Sequence, residues 1–148
     1  MNLYEKISED VKSSLKSKNS KRVSTLRLIL SSINNERLKS KSGTVNEDTI
    51  ISILKKAEKQ RLESISAYKA GNRLDLVATE EKELEIIREY LPKMLNDEEI
   101  RNIVKQTIEE VGNNPGVIMK TIMSKYKNCI DGKRTKEILT AELGNYQI

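Results

Sequence analysis

Apolar positions recur along this chain at intervals of three and four residues almost from end to end, with polar residues between them. Leu3, Ile7, Val11 and Leu15 form the first stripe, which predicts a helix over about 2–16. After a break at Lys18-Asn19-Ser20, Val23, Leu26, Ile29, Leu30 and Ile33 predict a second helix over about 21–40, followed by a loop around Gly43. Asn46, with Glu47 and Asp48 behind it, starts a longer third helix whose apolar face is Ile50, Ile51, Leu54, Ala57, Ile65 and Tyr68. Gly71 is placed to close that helix. Asn72 then caps a fourth, with Asp75 three residues on and Val77, Leu84, Ile87 and Leu91 along one face. Pro92 cannot continue it, so the stop is sharp. Two long helices joined through Ala70-Gly71-Asn72 should make an antiparallel hairpin.

The pattern restarts beyond Pro92 in shorter pieces. Asn96 and Glu99 read as a capping box for a helix to about Val111 that faces inward through Ile100, Ile103, Val104 and Ile108 and ends at Gly112. Asn114-Pro115 is a cap followed by proline at the first helical position, the start of a sixth helix with Val117, Ile118, Ile122, Met123 and Tyr126. Asp131-Gly132 marks a turn, and a last helix through Ile138, Leu139 and Leu143 is expected to end at Gly144. No segment alternates with period two for long enough to be a strand. The expectation is an all-α protein in two parts: residues 1–92, containing the long hairpin, and residues 93–148, a small three-helix bundle.

Composition sharpens this picture in three ways. The chain of 148 residues is 33% charged but only 3% aromatic, without Trp or Phe, so its core must be Leu, Ile, Val and Met on helix faces. So polar a chain could be disordered, but the sustained helical periodicity argues against it. Cys129 is the only cysteine, which excludes an internal disulfide or a cysteine metal cluster and suits a reducing compartment. The first ten residues carry acids and no apolar run, unlike a secretory signal, and no stretch approaches a membrane span. A cytoplasmic protein without membrane partners is the expectation.

Candidate chemistry is sparse. With no histidine, Ser-His-Asp and Cys-His arrangements and histidine zinc sites are excluded. The six glycines stand singly at helix ends and loops, so nothing resembles a phosphate-cradling loop. Neither a catalytic residue, a metal site nor a cofactor is expected. Glu81, Glu85 and Glu89, four apart, form a carboxylate column that could hold Mg²⁺ or act in acid–base chemistry, but a solvated face answering the basic second helix is favoured. Glu80 falls angularly between Val77, Leu84 and Ile87, so it is expected to be partly buried and paired with a Lys or Arg.

Net charge is +5, which favours anionic partners. Two segments concentrate it. Between Lys12 and Lys41 nine cations face Glu36 alone, and between Lys120 and Lys136 six face Asp131 alone. The second, with Lys120, Lys125, Lys127, Lys133, Arg134 and Lys136 on a helix, a turn and the next helix start, and with Tyr126 among them as a stacking side chain, is the candidate site for phosphates and bases.

The stretches Arg73–Pro92, ending E-Y-L-P, Lys56–Asn72, Arg22–Glu36 and the late Asp131-Gly132-Lys133 resemble the YqeY-like family, whose domain is shared with the tail of the GatB subunit of tRNA-dependent amidotransferases. The similarity runs end to end. It implies a longer helical N-terminal portion and a small three-helix C-terminal bundle, related to a tail that contacts tRNA. Of the family pattern before the late turn, only Lys120, Met123, Asp131, Gly132 and Lys133 carry over. The chain has Ile118-Met119-Lys120-Thr121-Ile122-Met123 where members often have two glycines. The resemblance implies a non-catalytic accessory that binds tRNA or other RNA, with amidotransferase subunits as candidate protein partners. One alternative is carbon–nitrogen ligase activity with glutamine as amide donor inside a larger complex. Another is a DNA-binding module using the last two helices as a helix-turn-helix.

Overall fold

The computed structural model describes residues 2–146, and these form an all-helical fold without strands. The helices are α1 (Leu3–Lys16), α2 (Ser20–Lys39), α3 (Glu47–Ala70), α4 (Leu74–Arg88), α5 (Asp97–Val111), α6 (Pro115–Tyr126) and α7 (Gly132–Tyr146). The chain divides into two compact units, Met1–Leu91 and Pro92–Ile148.

The first unit is built from α1 to α4. Asn2 starts α1 through a capping box with Glu5: its side chain accepts from the Glu5 N–H at 2.8 Å, and the Glu5 carboxylate accepts from the Asn2 N–H at 3.4 Å. Ile7, Leu26, Ile33, Leu54 and Ile87 are fully enclosed, and the core around them takes contributions from all four helices. Leu15 was expected on the inner stripe and is instead 49% exposed, while Ser14 is buried. The reason is helical geometry: positions four apart advance 40° beyond a full turn, so by Leu15 the stripe has rotated out and Ser14 has rotated in. α3 and α4 form the expected antiparallel hairpin, with a second small cluster of Ile65, Val77 and Leu84 between them.

The link between α3 and α4 differs from expectation. Asn72 does not cap α4. It takes a left-handed conformation, φ 55°, directly after Gly71, whose φ of −87° makes no special demand. The Asn72 N–H donates to Lys69 O at 3.1 Å and the Arg73 N–H to Tyr68 O at 2.8 Å, the two bonds of a Schellman closure. Asn tolerates this region better than most residues, so the turn forms one residue later than a glycine-based reading places it. Arg73 is left as the N-cap of α4 with no capping side-chain bond, and its guanidinium holds Asp75 at 3.3–3.4 Å. Lys18, φ 60°, closes α1 the same way: Lys18 N–H donates to Leu15 O and Asn19 N–H to Ser14 O.

The second unit is α5 to α7 around Ile100, Val104, Ile118, Ile122 and Leu139. The Asn96–Glu99 capping box, Gly112 at φ 92° and Asn114-Pro115 all sit where expected. α7 does not stop at Gly144 but runs on to Tyr146. One glycine costs a helix only about 1 kcal/mol, and nothing after it supplies a breaker.

Candidate nucleic-acid interface

The Lys120–Lys136 segment spans most of α6, the turn after it and the start of α7. Asp131 caps α7: its side chain accepts from the N–H groups of Lys133 at 2.9 Å and Arg134 at 3.2 Å, and its carbonyl accepts from the Thr135 N–H and hydroxyl. The turn is tied from the other side by the Leu95 N–H, which donates to Cys129 O at 2.8 Å. Met123 lies 3.5 Å from where a Cβ on Gly132 would stand, and Pro115 and Gly116 share a groove with Leu143 and Gly144. α6 and α7 therefore run antiparallel.

This frame sorts the seven expected contact residues. Arg134 is committed elsewhere. Its guanidinium makes a two-pronged contact with Asp97, Nε to Oδ1 at 3.0 Å and Nη2 to Oδ2 at 2.7 Å, and a third bond from Nη1 to Glu137 at 2.9 Å. The Arg134 hydrogen bond holds the Asp97 carboxyl below its usual range, and the Asp97 and Glu137 bonds raise Arg134 further. This side chain staples the first turn of α7 to the first turn of α5 and has no spare fork for a phosphate. Tyr126 is half-buried against the second core, so its ring is not a freely presented stacking surface. Lys125 reaches toward Glu110 at 3.8 Å, a loose pair between exposed side chains.

Lys120, Lys127, Lys133 and Lys136 are exposed. Lys136 lines a groove of about 540 Å³ together with Pro115, Gly116, Met119, Leu139 and Leu143. Lys120 stands one helical turn beyond Gly116 and so on the same side of α6. Lys133 lies one turn before Lys136 on α7. The arrangement offers exposed ammonium groups beside a shallow apolar trough.

In the first unit, too, several cations counted as basic surface are already engaged. Tyr90, only 6% exposed, donates from its hydroxyl to Asp10 and accepts from Arg22 Nη2 at 2.9 Å. Arg22 also bonds Glu89, and the ammonium of Lys6 lies 5.7 Å from the Tyr90 ring centre. Burial first, then the bond to Asp10, pushes the Tyr90 phenol well above its ordinary value. Glu89 and Tyr90 of the E-Y-L-P stretch thus lock the end of α4 to α1 and α2. Sequence reasoning favoured a carboxylate face answering the basic second helix, and Glu89 of that column does meet Arg22 of α2. Glu81 and Glu85 are exposed, and among the described residues no three acidic or cysteine side chains come together to hold a metal. Glu80 is largely buried beside Arg61 at 3.5 Å, with Glu83 on the same guanidinium at 2.9 Å. Arg37 stacks on Tyr4, 4.5 Å from its ring centre.

Compared with known proteins, residues 4–143 match the family described as Yqey-like protein. The chain belongs to the YqeY-like family. Among curated relatives it is 32% identical over 122 residues to a Vanderwaltozyma polyspora protein named altered inheritance of mitochondria protein 41, mitochondrial, covering 80% of this chain and 66% of that one. Proteins of the same name from Lachancea thermotolerans and Clavispora lusitaniae are 30% and 32% identical, over 80% and 81% of this chain and 65% and 74% of theirs. The chain thus spans about two thirds of the length of the first two. These names correct the expectation of a cytoplasmic protein, since they point to mitochondria. The expectation rested on a lone cysteine and the lack of a signal-like start, features that report redox conditions and secretion but do not separate one reducing compartment from another. Among the described residues no helix is long and apolar enough to cross a membrane.

Proposed function

We propose that this YqeY-like chain is a non-catalytic accessory protein that binds tRNA or another RNA through its second unit, with Lys120, Lys133 and Lys136 as the phosphate contacts and Lys125 and Lys127 adding to the local field. The observation that carries the reading is the set of exposed lysines left beside the α6–α7 groove once Arg134 is taken up by Asp97 and Glu137. Phosphate-bound Lys and Arg release counterions, so such a surface gives salt-sensitive affinity without base-specific contacts. The resemblance to the amidotransferase tail supports tRNA as the RNA and an amidotransferase as the setting, and the names of the relatives support a mitochondrial one.

Binding of the purified chain to total tRNA across a salt series tests this. The triple variant Lys120→Ala, Lys133→Ala, Lys136→Ala should bind at least about tenfold more weakly at low salt, with a log–log salt slope shallower by roughly one for each lysine–phosphate pair removed. Arg134→Ala should instead lower the melting temperature and leave the slope nearly unchanged. Absence of binding at low salt, or a triple variant that binds like the parent, would overturn the proposal.

A further inference from the structure

A groove far from that cluster in the sequence lies on the first unit, between the end of α1 and the first three turns of α2. Its volume is about 850 Å³, and its lining runs from Ser14, Leu15 and Lys18 across to Ser20–Ser31. Three features define what would fill it. The floor is apolar: Leu28 is 56% exposed and Leu15 49%, with Val23 beneath them. Ser20, Ser24 and Ser31 keep the walls low, so a partner backbone can approach closely. The rim is cationic, with Lys18 and Arg27 in the lining and Lys12, Lys16 and Lys21 close by in the chain. None of these five has an acidic partner among the described residues, in contrast to Arg22, which binds Glu89 and Asp10.

The length of the groove selects among occupants. From Ser20 to Ser31 the groove follows eleven helical rises of α2, about 16 Å or three turns. A trough three turns long with an apolar floor matches a helix laid along it, anchored by apolar side chains three and four residues apart. A phosphate backbone would satisfy the rim but would leave Leu15 and Leu28 against hydrated oxygens. An acidic amphipathic helix satisfies both floor and rim. We infer that this groove is the docking site for an acidic amphipathic helix of a partner protein, a protein interface separate from the lysines of α6 and α7.

The test uses the full chain and a designed, fluorescently labelled helical peptide with Leu on one face and Glu flanking it, measured by anisotropy. A second peptide has the same composition in scrambled order, so that charge is kept and the apolar face is lost. The amphipathic peptide should bind at least about tenfold more tightly than the scrambled one. Leu28→Ser and Arg27→Glu should each weaken it by roughly tenfold, the size of effect expected of a central contact. Both positions are exposed, so thermal melts should be unchanged, while the lysine variants of α6 and α7 should bind the peptide normally. Equal binding of the two peptides would reduce the groove to a general attraction for polyanions and overturn the inference, as would Leu28→Ser with parental affinity. Sedimentation of the chain alone separates the remaining occupant: a dimer that Leu28→Ser dissociates would assign the groove to a second copy and equally overturn the inference.

Discussion

The hydroxyl of Tyr90 joins Asp10 and Arg22, which lie 80 and 68 positions away in the chain. Removing it leaves a carboxylate oxygen and a guanidinium N–H short of a partner at a site water reaches only in part. Tyr90→Phe should therefore cost about 1 kcal/mol, measured as a lower urea midpoint at unchanged m-value. The Asp97–Arg134 staple makes a prediction about pH. Because the Arg134 bond depresses the Asp97 carboxyl in the folded state, the contribution is present in full above the ordinary aspartate value of about 3.9 and is lost as pH falls below it. The melting-temperature advantage of the parent over Asp97→Asn should be constant near neutrality and shrink in the acid range. An advantage that grew on acidification would contradict this sign. The partial burial of Glu80 beside Arg61 showed itself in the sequence, because its place between Val77, Leu84 and Ile87 follows from helical angle alone. Arg134 looked like an available cation because Asp97, which takes two of its N–H groups, lies 37 positions away, and no periodicity encodes that meeting.

Most of the helices were legible from local rules because their stop and start signals are local bonds. Asn2, Asn46, Asn96 and Asn114 each accept from the N–H three residues on, and a chain of three residues suffices to specify that. The ends of α1 and α3 fall where the pattern put them, at Lys16 and Ala70, but the way they close was not legible, since each closes on a non-glycine residue with positive φ. Lys18 has a Cβ and no side-chain bond that favours φ 60°, so it carries the left-handed penalty of about 1–2 kcal/mol. Lys18→Gly should raise stability by about 0.5–1 kcal/mol, after the extra freedom glycine gives the unfolded chain is discounted. Chemical denaturation checks this. Asn72→Gly should gain less, because Asn already tolerates the same conformation. A destabilised Lys18→Gly variant would mean that the lysine itself holds the turn.

Across the whole molecule, the apolar period, the caps and Pro92 determined an all-helical chain with Ile, Leu and Val cores, because each of those signals acts over one or two turns of helix. Membership of the YqeY-like family was legible as well, since the E-Y-L-P stretch and its upstream partners stand in linear order. Counting charge along the chain could say that nine cations fall between Lys12 and Lys41, but not which of them remain without an acid once the helices pack. Tertiary structure decided that Arg22 pairs with Glu89 and Arg134 with Asp97, while Lys120, Lys133 and Lys136 face solvent. It also decided that Leu15 and Leu28, apolar residues on amphipathic helices, line an open groove instead of the core. The physical reason is common to both: burial and ion pairing depend on which faces meet, and helices of one period can meet in many ways until packing selects one.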